Sequence, residues 1–307
     1  MTRVLVAGAT SVPGIPLLRE LHSLGHEVIG LTRSSAKTSH IVAAGATPMV
    51  ADVFDAAAIE SLVAQLAPEV VVSLLTTLPK RGPMRPNDFR AATDLWDRGA
   101  TNLVTAAQRA GVRRVVAESV IFAYGYAPSG PPIMDESDPY PGPPPRGCAR
   151  MLAALRGMEQ TVLTSGEHSD TEGIVLRYGV FYGSDVPHSK MMARLAKFCV
   201  LPVPSGNGML SWVEINDVAR ATAAALDRGR GGQIYNIVED QPQSFADYAA
   251  DLAARLKRPR PLTIPSRLVG IVAPYAAAAF GQAWLPLSNA KANEELDWSP
   301  TTRPGQR

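Results

Sequence analysis

Apolar residues recur along the chain in short runs that alternate with amphipathic stretches. The first run covers residues 4–7, and after it Ile15, Leu17, Leu18 and Leu21 repeat at helical spacing. The same alternation of a buried strand and a helix continues to about residue 119. Connections of this length predict a doubly wound, parallel α/β sheet of the Rossmann type, with helices on both faces.

The pattern assigns most of the chain to defined elements. Predicted strands cover residues 4–7, 27–32, 47–50, 69–75, 112–119 and 234–238, and predicted helices cover residues 35–44, 56–66, 88–110, 148–162, 189–198, 218–226 and 245–256. After residue 183 the strict alternation ends. We therefore expect a dinucleotide-binding domain over residues 1–182, with returning segments near 210–240, and a smaller substrate-binding lobe over most of residues 183–307.

The turn after the first strand points to a phosphate site. Its sequence is Gly8-Ala-Thr10-Ser11-Val12-Pro-Gly14, and it leads directly into the first helix. Glycine lets the backbone approach a ligand closely, and the unpaired N–H groups of a helix N-terminus attract an anion. Ser11 replaces the second glycine of the usual dinucleotide fingerprint, but its hydroxyl can donate to a phosphate oxygen. A turn of this kind also occurs for packing alone.

The end of the second strand carries cationic and hydroxyl side chains. In dinucleotide-binding sheets this position, about twenty residues after the glycine turn, meets the adenosine ribose. An acidic residue there binds the 2′-hydroxyl of NAD, but this chain has Arg33, Ser34 and Lys37, which are donors for a 2′-phosphate. The sequence therefore predicts NADP as the cofactor, unless Arg33 is only a solvated charge at a strand end.

Polar groups also follow the third and fourth strands. Asp52 and the backbone of Val53 are expected beside the adenine, and Thr76 is expected at the edge of the sheet where open α/β sheets bind ligands. The alternative for Asp52 or Asp55 is a simple N-terminal cap of the next helix.

The composition excludes several classes of partner. The 30 basic and 28 acidic residues leave a formal net charge of +2 on 307 residues, which gives no electrostatic reason to bind nucleic acid or an anionic membrane. Cys148 and Cys199 are too few for a disulfide framework and lack metal-ligand spacing. No leader and no uncharged apolar segment of about eighteen residues occurs, so we expect a cytoplasmic protein that binds a small molecule and no metal.

Four segments together resemble a known family. They are the glycine turn at 8–14, the segment 102–116, Leu-Arg-Tyr-Gly-Val-Phe-Tyr-Gly at 176–183 and Trp-Val-Glu-Ile-Asn-Asp-Val-Ala at 212–219. In this order they are similar to the extended short-chain dehydrogenase/reductases, the NAD-dependent epimerase/dehydratase family, over nearly the whole chain. The resemblance implies a Rossmann fold, hydride transfer to or from a nicotinamide, and a cofactor contact at Tyr178 and Val180.

The resemblance also implies a catalytic hydroxyl and a Tyr-x-x-x-Lys pair, and here the chain departs from the family. Ser119 resembles the hydroxyl at the end of the fifth strand, with one extra residue before the following Tyr-Gly. Glu159 matches a family glutamate on the next helix, and counting back by fours places Leu155 at the Lys position and Met151 at the Tyr position. No Tyr-x-x-x-Lys occurs elsewhere in the chain, so the usual acid/base pair is absent.

Three interpretations follow from this departure. The protein is a redox enzyme whose proton comes from another group, a non-redox isomerase, cyclase or lyase, or a binding protein that senses NADP(H). For the first interpretation Tyr124 is the leading proton donor, although a buried tyrosine often serves packing alone. The other candidates are Tyr140, Tyr178, Tyr182 and Arg150.

The smaller lobe is expected to bind the substrate. An apolar pocket is predicted there, with Trp212 and Met191 at its centre, and its full set is Met191, Met192, Phe198, Met209, Trp212 and Trp284. Such a pocket favours a medium-sized apolar metabolite over a nucleotide sugar, whose diphosphate would need Arg or Lys.

Other expectations concern the surroundings of this pocket. We expect the proline-rich segment 127–147 to cover the cleft, with solvated carboxylates at Asp135 and Glu136, and Asp217 to cap the helix that follows it. The apolar stretch 268–280, broken by Pro274, is predicted to be core helix. The resemblance implies that a possible homodimer pairs helices 88–110 and 148–162. The latter carries an apolar stripe that also fits a core: Met151, Leu152, Leu155, Met158 and Val162.

Overall fold

The structure is a computed structural model that describes residues 1–127, 129–138, 144–167 and 169–301. The strands, in chain order, are β1 (Arg3–Ala7), β2 (Glu27–Thr32), β3 (Thr47–Val50), β4 (Val70–Ser73), β5 (Arg114–Val120), β6 (Glu172–Tyr178), β7 (Val180–Tyr182), β8 (Val203–Pro204), β9 (Met209–Leu210), β10 (Trp212–Glu214), β11 (Gln233–Ile237), β12 (Thr263–Ile264) and β13 (Trp284–Leu285). The α-helices are α1 (Gly14–Ser23), α2 (Thr38–Ala43), α3 (Ala56–Leu66), α4 (Arg90–Asp94), α5 (Ala100–Arg109), α6 (Ala149–Leu163), α7 (Pro187–Lys197), α8 (Ile215–Arg228), α9 (Phe245–Arg255), α10 (Ser266–Val272), α11 (Pro274–Gly281) and α12 (Ala290–Leu296).

A seven-stranded parallel sheet forms the centre of the protein. Its strand order is β11-β6-β5-β4-β1-β2-β3, with β1 in register with β2 on one side and β4 on the other. The inner strands are buried on both faces, which explains why they appear in the sequence as apolar runs, whereas the edge strand β3 is partly exposed. The predicted doubly wound α/β fold is confirmed.

Alternate residues of each strand belong to two separate cores. In β1, Leu5 and Ala7 pack with α3, α5 and α6, whereas Val4 and Val6 pack with α1, α8 and α12. This follows from the two-residue repeat of a strand, whose successive side chains point to opposite faces. The elements after residue 183 are therefore not all in a separate lobe, because α8, β11 and α12 complete the Rossmann part.

The remaining elements lie beyond the carboxyl edge of the sheet. Short parallel pairs join β7 to β10, β8 to β12 and β9 to β13, and helices α7, α9, α10 and α11 pack around them. Within the described ranges no helix has both the length and the apolar character needed to cross a membrane.

Several local predictions are wrong. The expected helix 88–110 is interrupted by a π-helical turn at Leu95–Gly99 between α4 and α5. Glu214, not Asp217, caps α8 by accepting the N–H groups of Asn216 and Asp217. The Asp217 carboxylate instead accepts hydrogen bonds from the C-terminal segment at Thr301, because α8 lies against that segment.

The helix α10 is also not core. Three of its apolar side chains, Leu268, Ile271 and Val272, are exposed, with Ile271 at 75%. By contrast, the apolar stripe of α6 is buried within the chain, as in the core alternative, and the possible homodimer stays a prediction.

The described part of the proline-rich segment packs beside β13, not over the cleft. The Met134 N–H donates to Pro286 O at 2.8 Å, and the Ser288 N–H donates to Met134 O at 2.8 Å. The carboxylate of Glu136 is half-buried and accepts the N–H of Asn236 at 2.7 Å, so it is not a solvated group. Pro128 and residues 139–143 of this segment, including the candidate Tyr140, lie outside the described residues.

A buried ion pair joins α6 to the sheet. Glu159 on α6 accepts from the guanidinium of Arg177 on β6 at 2.7 and 2.8 Å, and both side chains are at most 3% exposed. The Ser119 hydroxyl on β5 donates to the same carboxylate at 2.6 Å. One carboxylate therefore connects a helix and two adjacent strands.

We expect Glu159→Gln to destabilise the protein strongly, because it leaves the Arg177 charge buried without a counter-ion. Breaking such a pair typically costs about 3–5 kcal/mol. Urea unfolding should show a lower midpoint at an unchanged m-value. The matched control is Glu60→Gln, whose partner Arg109 is 62% exposed and whose loss should cost about 0–1 kcal/mol. Equal losses in the two variants would contradict the prediction.

Candidate active site

A cavity of about 1620 Å³ runs along the carboxyl edge of the sheet. Residues that follow β1 to β6 line it in turn, and the far end is closed by α7, α10 and α11. Ordinary small-ligand pockets measure about 300–1,000 Å³. This cavity therefore has room for a dinucleotide and a second molecule.

The glycine turn brings strand and helix as close as the backbone allows. Gly8 has φ +79°, and a Cβ built on it would lie 2.2 Å from the carbonyl oxygen of Leu74. A Cβ on Gly14 would lie 2.5 Å from the carbonyl oxygen of Ala9. Both glycines are therefore required by backbone contacts, as well as leaving space for a ligand.

The same turn holds an unsatisfied polar atom. The Ser11 Oγ is buried in the cavity wall and has no hydrogen-bond partner in the described part of the chain. The helix α1 begins beside it at Gly14 without a side-chain cap, and Thr10 and Val12 complete this wall. A hydroxyl without a partner next to an uncapped helix N-terminus fits the diphosphate of a dinucleotide.

Three cationic side chains border the cavity next to this turn. Arg33 and Lys37 follow β2 together with Ser34, and Arg19 lies on α1, four residues after Ile15 of the cavity wall. Within the described residues none of these three cations forms a salt bridge. Arg19 was not among the predicted site residues, although its spacing of four residues from Ile15 places both on the same face of α1.

The loop after β3 provides the opposite wall of this region. Asp52 is exposed and accepts the N–H of Phe54 at 3.0 Å, while Asp55 caps α3 through the N–H of Ala58. Asp52 is thus not the helix cap. The carbonyl of Val53 accepts the Asn102 side chain at 2.9 Å, and Val53 itself lines the cavity.

Ser119 and Tyr124 do not reach the cavity. Ser119 points to the α6 side of β5, where Glu159 accepts its hydroxyl, and Tyr124 is fully buried. The Tyr124 hydroxyl lies 3.1 Å from both Asp135 O and the Asn236 side chain, and burial raises its pKa to about 12. The expectation that these two residues face a substrate is wrong, because strand alternation turns Ser119 away and the 3-10 turn at Ile121–Tyr124 turns Tyr124 inward.

The other described tyrosine candidates are also held by partners. Tyr178 and Val180 line the cavity, but the Tyr178 hydroxyl lies 2.7 Å from that of Thr222, and burial raises its pKa. The Tyr182 hydroxyl donates to the buried carboxyl of Glu239. Arg150, the remaining candidate, is largely exposed and pairs with Asp94, so it is not part of the cavity wall.

Glu118 is a buried ionisable group of the cavity wall that was not among the residues predicted from the sequence. It lies one residue before Ser119 on β5, lines the cavity and is 5% exposed. Burial raises its pKa to about 8, against the opposing effect of a hydrogen bond from Thr76. A glutamate near the carboxyl end of a buried strand was the available signal.

Met151 lines the cavity and Leu155 is fully buried behind it. Apolar side chains therefore occupy the two positions that resemble those of the family's acid/base pair. Among the described residues, no group of three or more His, Cys, Asp or Glu side chains is placed to hold a metal ion.

The far end of the cavity is aromatic. Phe122 stacks on Tyr126 at 5.2 Å, and the Tyr126 hydroxyl donates to that of Tyr275 at 2.9 Å. The predicted residues Trp212 and Met191 line the cavity too, with Trp212 stacked on Tyr248 outside it. Of the other predicted pocket residues, Met192 lines the cavity and Phe198, Met209 and Trp284 do not.

The loop between β4 and α4 covers the cavity. The Asp88 carboxylate accepts the N–H groups of Met84 and Arg85 at 2.8 and 3.1 Å, and these bonds lower its pKa. The Arg85 side chain in turn donates to Val272 O at 3.1 Å, at the end of α10. This loop takes the place that we had predicted for the proline-rich segment.

Comparison with known proteins shows the family of the chain. Residues 4–238 match the model of the NAD dependent epimerase/dehydratase family. The chain is 34% identical to a 3-diazoavenalumate denitrifying reductase from a Streptomyces species, over 97% of this chain and 96% of that one. It is 25% identical to an NAD(P)H azoreductase from Xenophilus azovorans, over 95% of this chain and 85% of that one.

A solved structure shares the fold. The UDP-glucose 4-epimerase of Thermus thermophilus, in complex with NAD, superimposes with a TM-score of 0.79 at 20% identity. The match covers 98% of this chain and 94% of that one.

The fold and the glycine turn define a Rossmann enzyme of the extended dehydrogenase/reductase type. The chain belongs to the NAD-dependent epimerase/dehydratase family and is therefore an NAD(P)-dependent enzyme. A nicotinamide dinucleotide fits the residues present, because its diphosphate would provide the missing partner of Ser11.

We expect Ser11→Ala to weaken cofactor binding. A hydrogen bond to a charged group is worth about 1.5–3 kcal/mol, so the Kd should rise about 10- to 100-fold. Calorimetric titration with NADPH measures this change. Ser39→Ala, at an exposed position of α2 outside the cavity wall, should leave the Kd unchanged. An unchanged Kd in Ser11→Ala would contradict the assignment.

Proposed function

We propose that the protein is an NADPH-dependent reductase that transfers hydride to an aromatic, largely apolar metabolite. The observation that carries the proposal is the continuity of one cavity. It begins at the glycine turn beside the Ser11 hydroxyl, passes Arg19, Arg33 and Lys37 and ends in an aromatic wall; among the described residues the hydroxyl has no hydrogen-bond partner and the three cations form no salt bridge.

The preference for NADP rests on the charges near β2. Arg19, Arg33 and Lys37 border the cavity and form no salt bridge within the described ranges. The acidic side chain on the adjacent wall is Asp52, in the loop after β3. Charge-assisted hydrogen bonds to a phosphate are roughly twice as strong as neutral ones. A 2′-phosphate would thus gain contacts that the 2′-hydroxyl of NAD cannot make.

The substrate class is inferred from the aromatic wall and from the relatives. Phe122, Tyr126 and Tyr275 form a surface on which a flat ring can stack. Two relatives are named for reduction of a diazo and an azo compound. We therefore propose a substrate in which a nitrogen–nitrogen multiple bond is attached to an aromatic ring.

When bound, the cofactor supplies the hydride, and the chain supplies position and shielding. The cradle around Gly8 and Ser11 fixes the dinucleotide, while the aromatic wall orients the acceptor ring. Residues of the loop held by Asp88 line the space between them.

The proposal includes a reducing cytosol, in which the free thiols of Cys148 and Cys199 persist.

Turnover assays test the reaction class. Purified protein with NADPH and either an aromatic azo compound or an aryl diazonium salt should lose nicotinamide absorbance. Product formation without that loss would favour the isomerase, cyclase or lyase alternative. Cofactor binding with no turnover of either compound would favour a sensor and overturn the proposed reductase.

We expect Arg33→Ala to raise the Kd for NADPH about 10- to 100-fold and to leave the Kd for NADH unchanged, since only the 2′-phosphate loses a partner. Fluorescence titration with both cofactors measures the ratio. Arg113→Ala, which removes an exposed arginine away from the cavity, is the control. Tighter binding of NADH than NADPH by the wild-type protein would refute the cofactor preference.

A further inference from the structure

We propose that Glu118 is the acid that protonates the substrate as hydride is added. This role is assigned to it by its place in the cavity wall, and the inference rests on the proposed reductase function. Glu118 thereby takes the role of the tyrosine that the family carries and this chain lacks.

Glu118 has the position that such an acid needs. It lies on β5, between β4 and β6 in the middle of the sheet, and lines the cavity at the carboxyl edge. The Thr76 side chain hydrogen-bonds its carboxyl group from the segment after β4. The second carboxyl oxygen, Oε2, has no partner among the described residues, so one oxygen is anchored and the other is available to a ligand.

Burial disfavours the other ionisable side chains near this wall as acids. It raises the pKa values of the tyrosines, and it lowers the pKa of His188, whose Nε2 lies 2.7 Å from the carbonyl oxygen of Phe181. The side chain of Met151 occupies the usual tyrosine position, and Tyr124 and Tyr178 are held by hydrogen bonds. Tyr126 lines the aromatic end, but burial raises its pKa well above the ordinary value, and its proton is donated to Tyr275. Glu118 is the buried carboxyl of this wall.

The protonation state of Glu118 supports the role. Burial raises its pKa to about 8, so the carboxyl group is protonated at neutral pH and loses its proton as the pH rises through about 8. The polar groups that face it are the Thr76 hydroxyl and, from β6, Tyr178, which is itself bonded to Thr222 on α8. No charged side chain contributes to the shift of its pKa.

The proposed step balances for an azo substrate. A hydride from the reduced nicotinamide forms an N–H bond to one nitrogen, and the electron pair of the N=N π bond moves to the other nitrogen. That nitrogen takes the proton of Glu118, so the product is a hydrazine, the nicotinamide is oxidised and Glu118 is left as a carboxylate. Water returns the proton after release. An aryl diazonium ion differs, because its positive charge is neutralised by hydride alone and no proton is required.

This difference gives an internal control. We expect Glu118→Gln to lower kcat for an aromatic azo compound by about 100-fold or more, the usual contribution of a general acid, and to spare reduction of an aryl diazonium salt. The wild-type kcat for the azo compound should fall as the pH rises through about 8, and this fall should be absent in the variant. Glu118→Asp should recover part of the rate and the pH dependence.

Two further measurements separate catalysis from folding. The Kd for NADPH should be the same in wild type and Glu118→Gln. Infrared difference spectra of the protein without substrate should show a protonated carboxyl band that wild type loses above about pH 8, and this band should be weaker in Glu118→Gln, where only the contribution of Glu239 remains. Glu239→Gln is the matched control, since Glu239 is also a buried glutamate with a pKa raised to about 8 but lies outside the cavity wall. Its azo reductase rate and pH profile should be those of wild type.

Several outcomes would overturn the proposal. They are full azo turnover by Glu118→Gln, equal loss of both substrates in that variant, turnover of the diazonium salt alone by wild type, or a carboxyl band of equal intensity in wild type and Glu118→Gln. Failure of the proposed function is distinguishable, because wild type would then oxidise NADPH with neither compound.

Discussion

The parallel direction of the central strands is the constraint on which the rest of this structure depends. Because all seven strands point the same way, the segments that follow them meet at one edge. A single cavity at that edge collects the turn at Gly8, the cations after β2 and the carboxyl group of Glu118. Residues that are more than a hundred positions apart in the sequence thereby share one site.

Strand alternation then decides which side chains of β5 take part. Glu118 and Val120 line the cavity, whereas Ser119, between them, faces α6 and becomes part of the ion pair of Glu159 and Arg177. A shift of one residue thus separates a group that can meet a ligand from one that holds the helix to the sheet. The protein has an apolar Met151 at the family's tyrosine position and an ionisable carboxyl group on the adjacent strand.

Most of the fold could be predicted from the sequence, because period-two and helical patterns depend on local burial. The bounds of β3 and α3 agree with the prediction to the residue. Features that depend on long-range packing could not be predicted. Asp217 resembles a helix cap, yet it binds the segment at Thr301, 84 residues later. The exposure of α10 is another example, because an apolar stretch carries no local sign of whether other elements will pack against it.

The candidate site was predictable to a similar extent. A glycine turn and the residues at strand ends are local signals, and the structure brings Gly8, Ser11, Arg33 and Thr76 to the cavity. The orientation of a tyrosine hydroxyl depends on distant residues, so the bond of Tyr124 to Asn236, 112 residues later, could not be predicted.

The covering loop has a consequence for the passage of molecules in and out. It is tied to the smaller lobe twice, because Arg85 donates to Val272 O and the Tyr275 N–H donates to Met84 O at 2.9 Å. Lifting the loop alone would break both hydrogen bonds. An opening that keeps them would have to move the loop, the end of α10 and the start of α11 as one piece.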